Sequence, residues 1–264
     1  MTGPSTSKPI ALITGASSGI GLELSRLFAA GGYALALSAR RTAELNQLAD
    51  ELKTAHGTPV TVFPLDLSQP GAARELWTQV EKANLQIDVL VNNAGLGITD
   101  AFVATDPAAL ETMLRVNMEA LTMLTRYALP AMLQRRRGRI LNVGSVVGYQ
   151  PGGPGMAVYY ASKSYVLSFS RALTVELRGS GVTVTALCPG TTRTEFEQRA
   201  GEKAGRLFRL MRPMDARTVA MAGYQGLHAG RAIVIPGLFN KIMAVAGELP
   251  PRQIALAVNR ILLS

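Results

Sequence analysis

The stretch that decides the fold is Ile10-Ala11-Leu12-Ile13-Thr14-Gly15-Ala16-Ser17-Ser18-Gly19-Ile20-Gly21. Its first part, Ile10 to Thr14, predicts a short apolar strand, and the amphipathic residues from Leu22 to Ala30 predict a helix after the glycine turn. The glycines of such a turn let the backbone approach a pyrophosphate, and the helix start offers free N–H groups to that anion. Glycines also simply make turns, but this turn lies between a strand and a helix, and that context predicts a dinucleotide-binding site.

The second predicted strand, Tyr33 to Ala39, is followed by Arg40 and Arg41 and not by an acidic residue. Dinucleotide folds place an Asp or Glu near this point to bind the adenosine ribose, or an Arg to bind a 2′-phosphate. An Asp would repel that phosphate, whereas an Arg binds it through two hydrogen bonds. The sequence therefore favours NADP over NAD. The alternative is that both arginines are solvated residues at the start of the next helix.

Strand and helix patterns alternate along most of the chain. Further strands are predicted at Val60 to Leu65, Ile87 to Val91, Ile140 to Val143, Val182 to Leu187 and Ala232 to Pro236. Further helices are predicted at Thr42 to Ala55, Gly71 to Ala83, Pro107 to about Leu133 and from Tyr159 to about Arg178. This alternation predicts an α/β protein with a doubly wound parallel sheet and helices on both faces. Since no linker or repeat interrupts it, we expect one domain over residues 1–264.

Composition and charge exclude several classes of protein. With 48% hydrophobic and 17% charged residues, the chain is typical of globular proteins. Cys188 is the only cysteine, so no intrachain disulfide can form, and Met1 to Lys8 lack the apolar core of a signal peptide. No apolar run is long enough to span a bilayer. We therefore expect a cytoplasmic protein with no transmembrane segment, and the sequence predicts no metal site.

The charge is divided unevenly between the two halves of the chain. Residues 1–130 carry 9 Lys/Arg against 12 Asp/Glu, whereas residues 131–264 carry 18 against 6. The basic half suits an anionic ligand, an acidic protein partner or a membrane surface, and membrane contact is the least favoured of these. The alternative is a solvated basic surface. Nucleic-acid binding is not expected, because no basic motif interleaved with aromatic residues is present.

Proton-transfer chemistry is predicted at Tyr159-Tyr160-Ala161-Ser162-Lys163, which opens a helix after a Pro/Gly-rich segment. Residues three or four apart share a helix face, so spacing alone leaves open which tyrosine lies beside Lys163. A free tyrosine has a pKa near ~10, and a neighbouring ammonium lowers that pKa. Such a pair suits a general acid that reduces a carbonyl. The alternative is an aromatic ring packed on a lysine stem.

Other polar residues stand at strand ends or inside helices. Asn92-Asn93-Ala94-Gly95 follows the fourth strand and Ser145 the fifth, at the sheet edge where such folds bind ligands. Asn117 is a poor residue for a helix interior. It indicates either a hydrogen bond to nearby backbone or a kink that aims a polar group at the site. Cys188 is expected to be a small buried residue and not a nucleophile.

Together these motifs resemble the classical short-chain dehydrogenase/reductase family. The resemblance covers Ile10 to Phe196 and also includes Pro189-Gly190-x-x-x-Thr194. It implies a single Rossmann-type domain that binds a nicotinamide cofactor, with seven strands in the order 3-2-1-4-5-6-7. The segments Asn-Asn-Ala-Gly-Leu-Gly, Pro-Gly-Met and Pro-Gly-Leu-Phe-Asn-Lys are similar to a bacterial subgroup of 3-oxoacyl or general ketone reductases.

The resemblance implies catalytic roles for four residues. Tyr159 would be the general acid/base, Lys163 would lower its pKa and bind the nicotinamide ribose, Ser145 would orient the carbonyl, and Asn117 would hold a water that relays protons to Lys163. Recognition of the 2′-phosphate would rest mainly on Arg40. The cofactor-binding positions that the resemblance implies are Gly15, Ser17, Ser18, Gly19, Ile20, Gly21, Arg40, Arg41, Asp66, Leu67, Asn93, Ala94, Gly95, Tyr159, Lys163, Pro189, Gly190, Thr192 and Thr194.

The activity implied by the resemblance is NADP(H)-dependent hydride transfer between nicotinamide and a ketone or secondary alcohol. A 3-oxoacyl thioester is the first substrate class, because the basic half suits coenzyme A or an acidic carrier protein. The alternatives are a dehydrogenase of steroid-like or other bulky secondary alcohols, and a non-catalytic NADPH-binding sensor or scaffold. We expect residues of about 191–214 to bind substrate, the extension of about 238–264 to pack over the cleft or a partner subunit, and a homo-oligomer, either dimer or tetramer.

Overall fold

The computed structural model describes residues 8–194 and 213–249, together with Gln253, Leu256, Asn259 and Arg260. Most of the predicted substrate-binding segment, residues 195–212, lies outside the described residues, as does most of the extension after residue 249. The predictions for those residues are therefore not addressed by the structure.

The described chain alternates between strands and helices as predicted. The strands are β1 (Ile10–Thr14), β2 (Ala34–Ala39), β3 (Val60–Pro64), β4 (Ile87–Asn92), β5 (Gly138–Val143), β6 (Val182–Leu187), β7 (Thr192–Arg193), β8 (Met214–Asp215) and β9 (Ile233–Val234). The α-helices are α1 (Gly19–Ala30), α2 (Thr42–His56), α3 (Ala72–Lys82), α4 (Pro107–Leu114), α5 (Leu121–Gln134), α6 (Ala157–Glu176), α7 (Ala216–His228) and α8 (Leu238–Glu248).

The main sheet of the described chain has seven parallel strands in the order β3-β2-β1-β4-β5-β6-β9. This order confirms the doubly wound fold, with β9 in the place of the seventh strand that the resemblance implied. β9 is shorter than predicted and pairs with β6 only through Ile233 and Val234. A separate short pair joins β7 to β8.

Helices cover both faces of the sheet and bury two cores. On one face, α1, α2 and α7 pack on the sheet, and Phe28 of α1 lies edge-on to Tyr224 of α7 with ring centroids 5.0 Å apart. Nearby, the Tyr33 hydroxyl and His228 Nε2 are 3.0 Å apart and hydrogen-bonded. On the other face, α3, α5 and α6 bury residues such as Leu76 against the strands. Continuous apolar strands are what a sheet buried on both faces requires.

The long helix predicted from Pro107 to about Leu133 is interrupted by a wider turn. Between α4 and α5, residues Arg115–Ala120 form a π-helix that contains Asn117. Such single-turn widenings inside α-helices are frequent at functional sites. The polar misfit that the sequence showed at Asn117 therefore marks a real change in backbone geometry. None of the helices in the described part of the chain has the length and hydropathy that a membrane crossing requires.

Candidate active site

One cleft at the carboxyl edge of the sheet contains residues from most of the predicted motifs. The predicted residues that line it are Gly15, Ser17, Ser18, Gly19, Ile20, Arg40, Arg41, Asp66, Leu67, Asn93, Ala94, Gly95, Ser145, Tyr159, Lys163, Pro189, Gly190, Thr192 and Thr194. Gly21 and Asn117 were also predicted, but they lie behind its surface. Within the described residues, no group of three His, Cys, Asp or Glu side chains is arranged to hold a metal ion.

The glycine turn after β1 forms a cradle that side chains would fill. Gly15 has a φ of +66°, in the left-handed region, and a Cβ there would lie 2.8 Å from Asn93 Nδ2. A Cβ at Gly21 would overlap Asn93 Nδ2 and the Gly15 carbonyl oxygen. The start of α1 can therefore approach the turn closely, with its first N–H groups at the cleft. This cradle fits the pyrophosphate of a dinucleotide.

Asn93 braces the glycine turn from the neighbouring strand. Its Nδ2 donates to the carbonyl oxygens of Thr14 at 2.9 Å and Gly15 at 3.1 Å. The Thr14 hydroxyl in turn accepts from the N–H groups of Asn93 at 3.0 Å and Ala94 at 3.1 Å. Asn93 therefore fixes the conformation of the glycine turn. Thr14 is a positioning residue that the sequence analysis did not single out, although a hydroxyl at the last strand position before the glycines was a visible signal.

The two arginines after β2 differ in how firmly they are held. Arg40 is exposed at the cleft. Arg41 Nη2 donates to the Ser17 carbonyl oxygen at 3.2 Å and to the Ser17 hydroxyl at 3.3 Å, and Arg41 Nε lies 3.5 Å from a Glu44 carboxylate oxygen. The guanidinium of Arg41 is therefore fixed beside the glycine turn. Arginine at this position fits a 2′-phosphate, and the structure gives Arg41 a more defined place than the sequence predicted.

Tyr159 and Lys163 are buried in the first two turns of α6. Lys163 Nζ donates to the Val143 carbonyl oxygen at 3.1 Å and lies 5.8 Å from the centroid of the Tyr159 ring. The Tyr159 side chain hydrogen-bonds to that of Ser145. Tyr160 also lines the cleft, but burial alone perturbs its pKa. Of the two tyrosines that spacing left open, Tyr159 is the one placed with both Ser145 and Lys163.

Burial dominates the acid–base properties of this cluster. Burial raises the pKa of Tyr159 to about 12, and the hydrogen bond with Ser145 only partly opposes that rise. Burial also lowers the pKa of Lys163 to about 8. The sequence analysis expected Lys163 to lower the pKa of Tyr159. The net pKa of Tyr159 rises because burial of the phenol outweighs the other influences on it, so the contribution expected from Lys163 stays a prediction.

Asn117 ties the π-helix to two segments of the site. Its Oδ1 accepts from the Leu96 N–H at 2.8 Å, and its Nδ2 donates to the Leu96 carbonyl oxygen at 2.9 Å and to the Ser162 hydroxyl at 3.0 Å. Asn117 therefore connects the turn at Leu96, which follows β4, to α6 at Ser162, the residue before Lys163. The sequence allowed for a bond to nearby backbone, but the partner Leu96 is 21 residues away. Ser162 was not predicted, although its position three residues after Tyr159 places it on the same helix face.

Comparison with known proteins agrees with this geometry. The sequence model of the family described as short chain dehydrogenase matches residues 9–205. The NADP-dependent 3-hydroxy acid dehydrogenase YdfG of Salmonella typhi is 38% identical over 206 residues, which are 75% of this chain and 81% of that protein. The matched residues of the family model include β1 and α6 but end before α7 and α8.

Two solved structures are similar over nearly the whole chain. A short-chain dehydrogenase from Sphingobium yanoikuyae in complex with NADPH has a TM-score of 0.81 and 35% identity, and covers 90% of this chain and 92% of its own. The bulky-bulky ketone specific alcohol dehydrogenase from Comamonas testosteroni has a TM-score of 0.77 and 31% identity, and covers 93% of this chain and 96% of its own.

Proposed function

The chain belongs to the short-chain dehydrogenase family, and from that premise we propose that it is an NADP(H)-dependent oxidoreductase that interconverts a ketone and a secondary alcohol. The observation that carries this proposal is a single cleft lined by Ser145, Tyr159 and Lys163 and also by Arg40 and Arg41. Support for the cofactor comes from a relative named as NADP-dependent and from a similar structure in complex with NADPH.

The proposed cofactor site uses the residues that form the cradle. The glycine turn and the first N–H groups of α1 would hold the pyrophosphate, and Arg41 together with Arg40 would bind the 2′-phosphate. Asn93 and Thr14 would keep the turn in place. When bound there, the reduced cofactor supplies the hydride that the reaction needs.

The proposed proton chemistry is carried out by α6 and the turn after β5. Because burial raises the pKa of Tyr159 to about 12, Tyr159 keeps its proton near neutral pH and can donate it to the carbonyl oxygen of a ketone. The Ser145 hydroxyl, which hydrogen-bonds with Tyr159, orients the same oxygen. Lys163, 5.8 Å from the ring centroid, stabilises the phenolate left after the transfer. Asn117 positions the Leu96 turn and Ser162 around this group.

The substrate class is the open part of the proposal. Beside Tyr159 the cleft is lined by the apolar residues Leu96, Val147 and Met156, which favours a ketone with an apolar body. The Comamonas neighbour is named for bulky-bulky ketones, and this agrees with the alternative of a bulky secondary alcohol. A 3-oxoacyl thioester remains a prediction from the resemblance and from the basic second half. A cytoplasmic location and a homo-oligomeric state also remain predictions.

Oxidation of NADPH by the purified protein tests the proposal. The substrates are a short 3-oxoacyl thioester, a bulky cyclic ketone and a bulky open-chain ketone. We expect turnover of at least one of them, loss of nearly all turnover in Tyr159→Phe, and unchanged NADPH binding in that variant. Tyr160→Phe is the matched control, because it removes the neighbouring buried hydroxyl and should retain most activity. NADPH binding with no turnover of any ketone would favour the non-catalytic alternative, whereas equal activity in Tyr159→Phe would refute the role of Tyr159 as the general acid.

A further inference from the structure

The C-terminal helix α8 packs against the turn that follows Ser145. That turn is a 3₁₀-helix, Val146–Tyr149, and α8 contacts it through Gly247. A Cβ at Gly247 would lie 2.6 Å from the Tyr149 carbonyl oxygen and 2.6 Å from Gln150 Nε2. The Gln150 Nε2 group donates to the Met243 carbonyl oxygen at 2.7 Å. A glycine in the last turn of α8 is therefore what allows the two backbones to approach this closely.

A chain of side chains connects the exposed end of α8 to the same turn. Glu248 Oε1 and Arg171 Nη1 form an ion pair at 2.9 Å, and the Arg171 guanidinium lies 5.0 Å from the centroid of the Tyr149 ring. The Tyr149 side chain also packs in one buried cluster with Cys188. Val146, the residue after Ser145, belongs to the same cluster. The contacts therefore run from α8 to the turn that follows Ser145.

The other side of the turn is held by the family core. The Val146 N–H donates to the Pro189 carbonyl oxygen at 2.8 Å, and the Ser164 hydroxyl donates to the Gly148 carbonyl oxygen at 3.1 Å. These anchors belong to the segment that the family model matches, residues 9–205. α8 lies beyond that segment, so the family match does not include its contacts with Tyr149 and Gln150.

We propose that α8 is a positioning element of the active site, and that Gly247 and the Glu248–Arg171 ion pair hold the turn that carries Ser145 against Tyr159. Only the predicted change in kcat rests on the proposed function; the packing of α8 on the turn does not. A displacement of about 1 Å of a group that orients the substrate can lower the rate by up to ~100-fold. Gly247 and Glu248 touch no reacting atom in this account and act through the turn.

Replacement of Gly247 by Ala separates positioning from helix stability. Ala has the higher helix propensity, so Gly247→Ala would strengthen an isolated α8, but its Cβ has to displace the Tyr149 carbonyl. The matched control is Ala246→Gly, at an exposed neighbouring position of the same helix, which weakens the helix without touching the turn. We expect kcat for the ketone to fall about tenfold or more in Gly247→Ala. NADPH affinity should stay within about twofold, and Ala246→Gly should keep a near-normal kcat.

The single cysteine provides a readout that does not depend on turnover. Cys188 is fully buried beneath the Tyr149 side chain, so a thiol reagent labels it only when the covering turn opens. We expect Gly247→Ala to raise the labelling rate in the native protein about tenfold, with little change in Ala246→Gly. An unchanged labelling rate would show that α8 does not hold the turn. Faster labelling with unchanged kcat would show that the turn does not position Ser145. Either result overturns the proposal.

A second variant, Glu248→Gln, tests the proposal even if Gly247→Ala does not fold. Glu248→Gln removes the charge that holds Arg171, and both side chains of this pair are exposed by more than a third, 46% and 41%. Exposed pairs contribute little to stability, so a merely structural role predicts normal kinetics. We expect a fall of about threefold in kcat, with a smaller dependence of kcat on salt than in the wild type. Glu176→Gln, another exposed acid, is the control. Labelling changes without any wild-type ketone turnover would support α8 while refuting the proposed function.

Discussion

The clearest test of the cofactor site is Arg41→Ala. In the structure the Arg41 guanidinium is fixed by two hydrogen bonds to Ser17 and stands beside the glycine turn. It is therefore oriented before any ligand arrives, and an oriented guanidinium loses less entropy when it binds a phosphate. The change should act mainly on the ligand that carries a 2′-phosphate. NADPH and NADH differ only by that group, so the pair of cofactors isolates the contribution of the arginine.

The size of the effect follows from the exposure of the side chain. A hydrogen bond to a charged group contributes about 1.5–3 kcal/mol. The Arg41 side chain is 31% exposed, so solvent screens it in part and the lower half of that range applies. A loss of about 1.5–2 kcal/mol corresponds to NADPH binding weakened by about 10–30-fold. The affinity for NADH is expected to change by less than about twofold, since it has no phosphate to lose.

The assay is titration of NADPH and NADH fluorescence with wild type, Arg41→Ala and Arg40→Ala. Arg40→Ala is a comparison and not a control, because Arg40 also lines this end of the cleft but is exposed and is expected to contribute less to NADPH binding. If Arg41→Ala weakened both cofactors equally, its role would be to fix the glycine turn through Ser17 and not to bind the phosphate. If Arg40→Ala had the larger effect on NADPH, the ranking made from the sequence would be right and the structural argument wrong.

Three further predictions concern the rest of the site. Lys163→Met should stabilise the fold more at about pH 7 than at about pH 10, because burial lowers the pKa of Lys163 to about 8 and the folded protein buries its charge only below that pH. Urea unfolding at both pH values measures the difference, and an equal change in the free energy of unfolding would contradict the prediction. Asn92→Ala should lower the free energy of unfolding by about 2–4 kcal/mol, since Asn92 Nδ2 donates to Asn142 Oδ1 at 2.9 Å in a buried network. Asn46→Ala, at an exposed site, is the control, and similar losses in the two variants would refute the reasoning. Gly15→Ala should weaken NADPH binding by about tenfold or more, because the residue has a φ of +66°, and normal affinity in calorimetry would show that the turn does not form the cradle.

The sheet and the cleft could be predicted because three of the motifs directly follow strands. Gly15, Asn93 and Ser145 follow β1, β4 and β5, and the carboxyl ends of parallel strands meet at one edge. The position of a residue just after a strand therefore predicted which distant residues it would lie beside. β9 was predicted at the right place but is shorter, because its pairing with β6 is limited to two residues.

Other features depend on contacts that spacing does not encode. Asn117 bonds to Leu96 in a distant segment, so the sequence could mark it only as a misfit in a helix. The raised pKa of Tyr159 comes from the depth of its burial, which follows from packing and not from the interval to Lys163. Gly247 stands at the end of a helix, where a glycine ordinarily indicates a C-cap. Its role in a close approach became visible only when α8 was placed on the turn after Ser145.

The packing of α1 against α7 has a consequence for how the chain folds during synthesis. Tyr33 and His228 are bonded across 195 residues of sequence, and Phe28 meets Tyr224 beside them. The ribosome therefore has to make most of the chain before the first helix can bury its aromatic face. At ~5–20 residues per second, that face stays open for about ten seconds or more. Nascent chains that stop before α7 should be bound by chaperones that recognise exposed apolar helices, and release should coincide with the emergence of Tyr224.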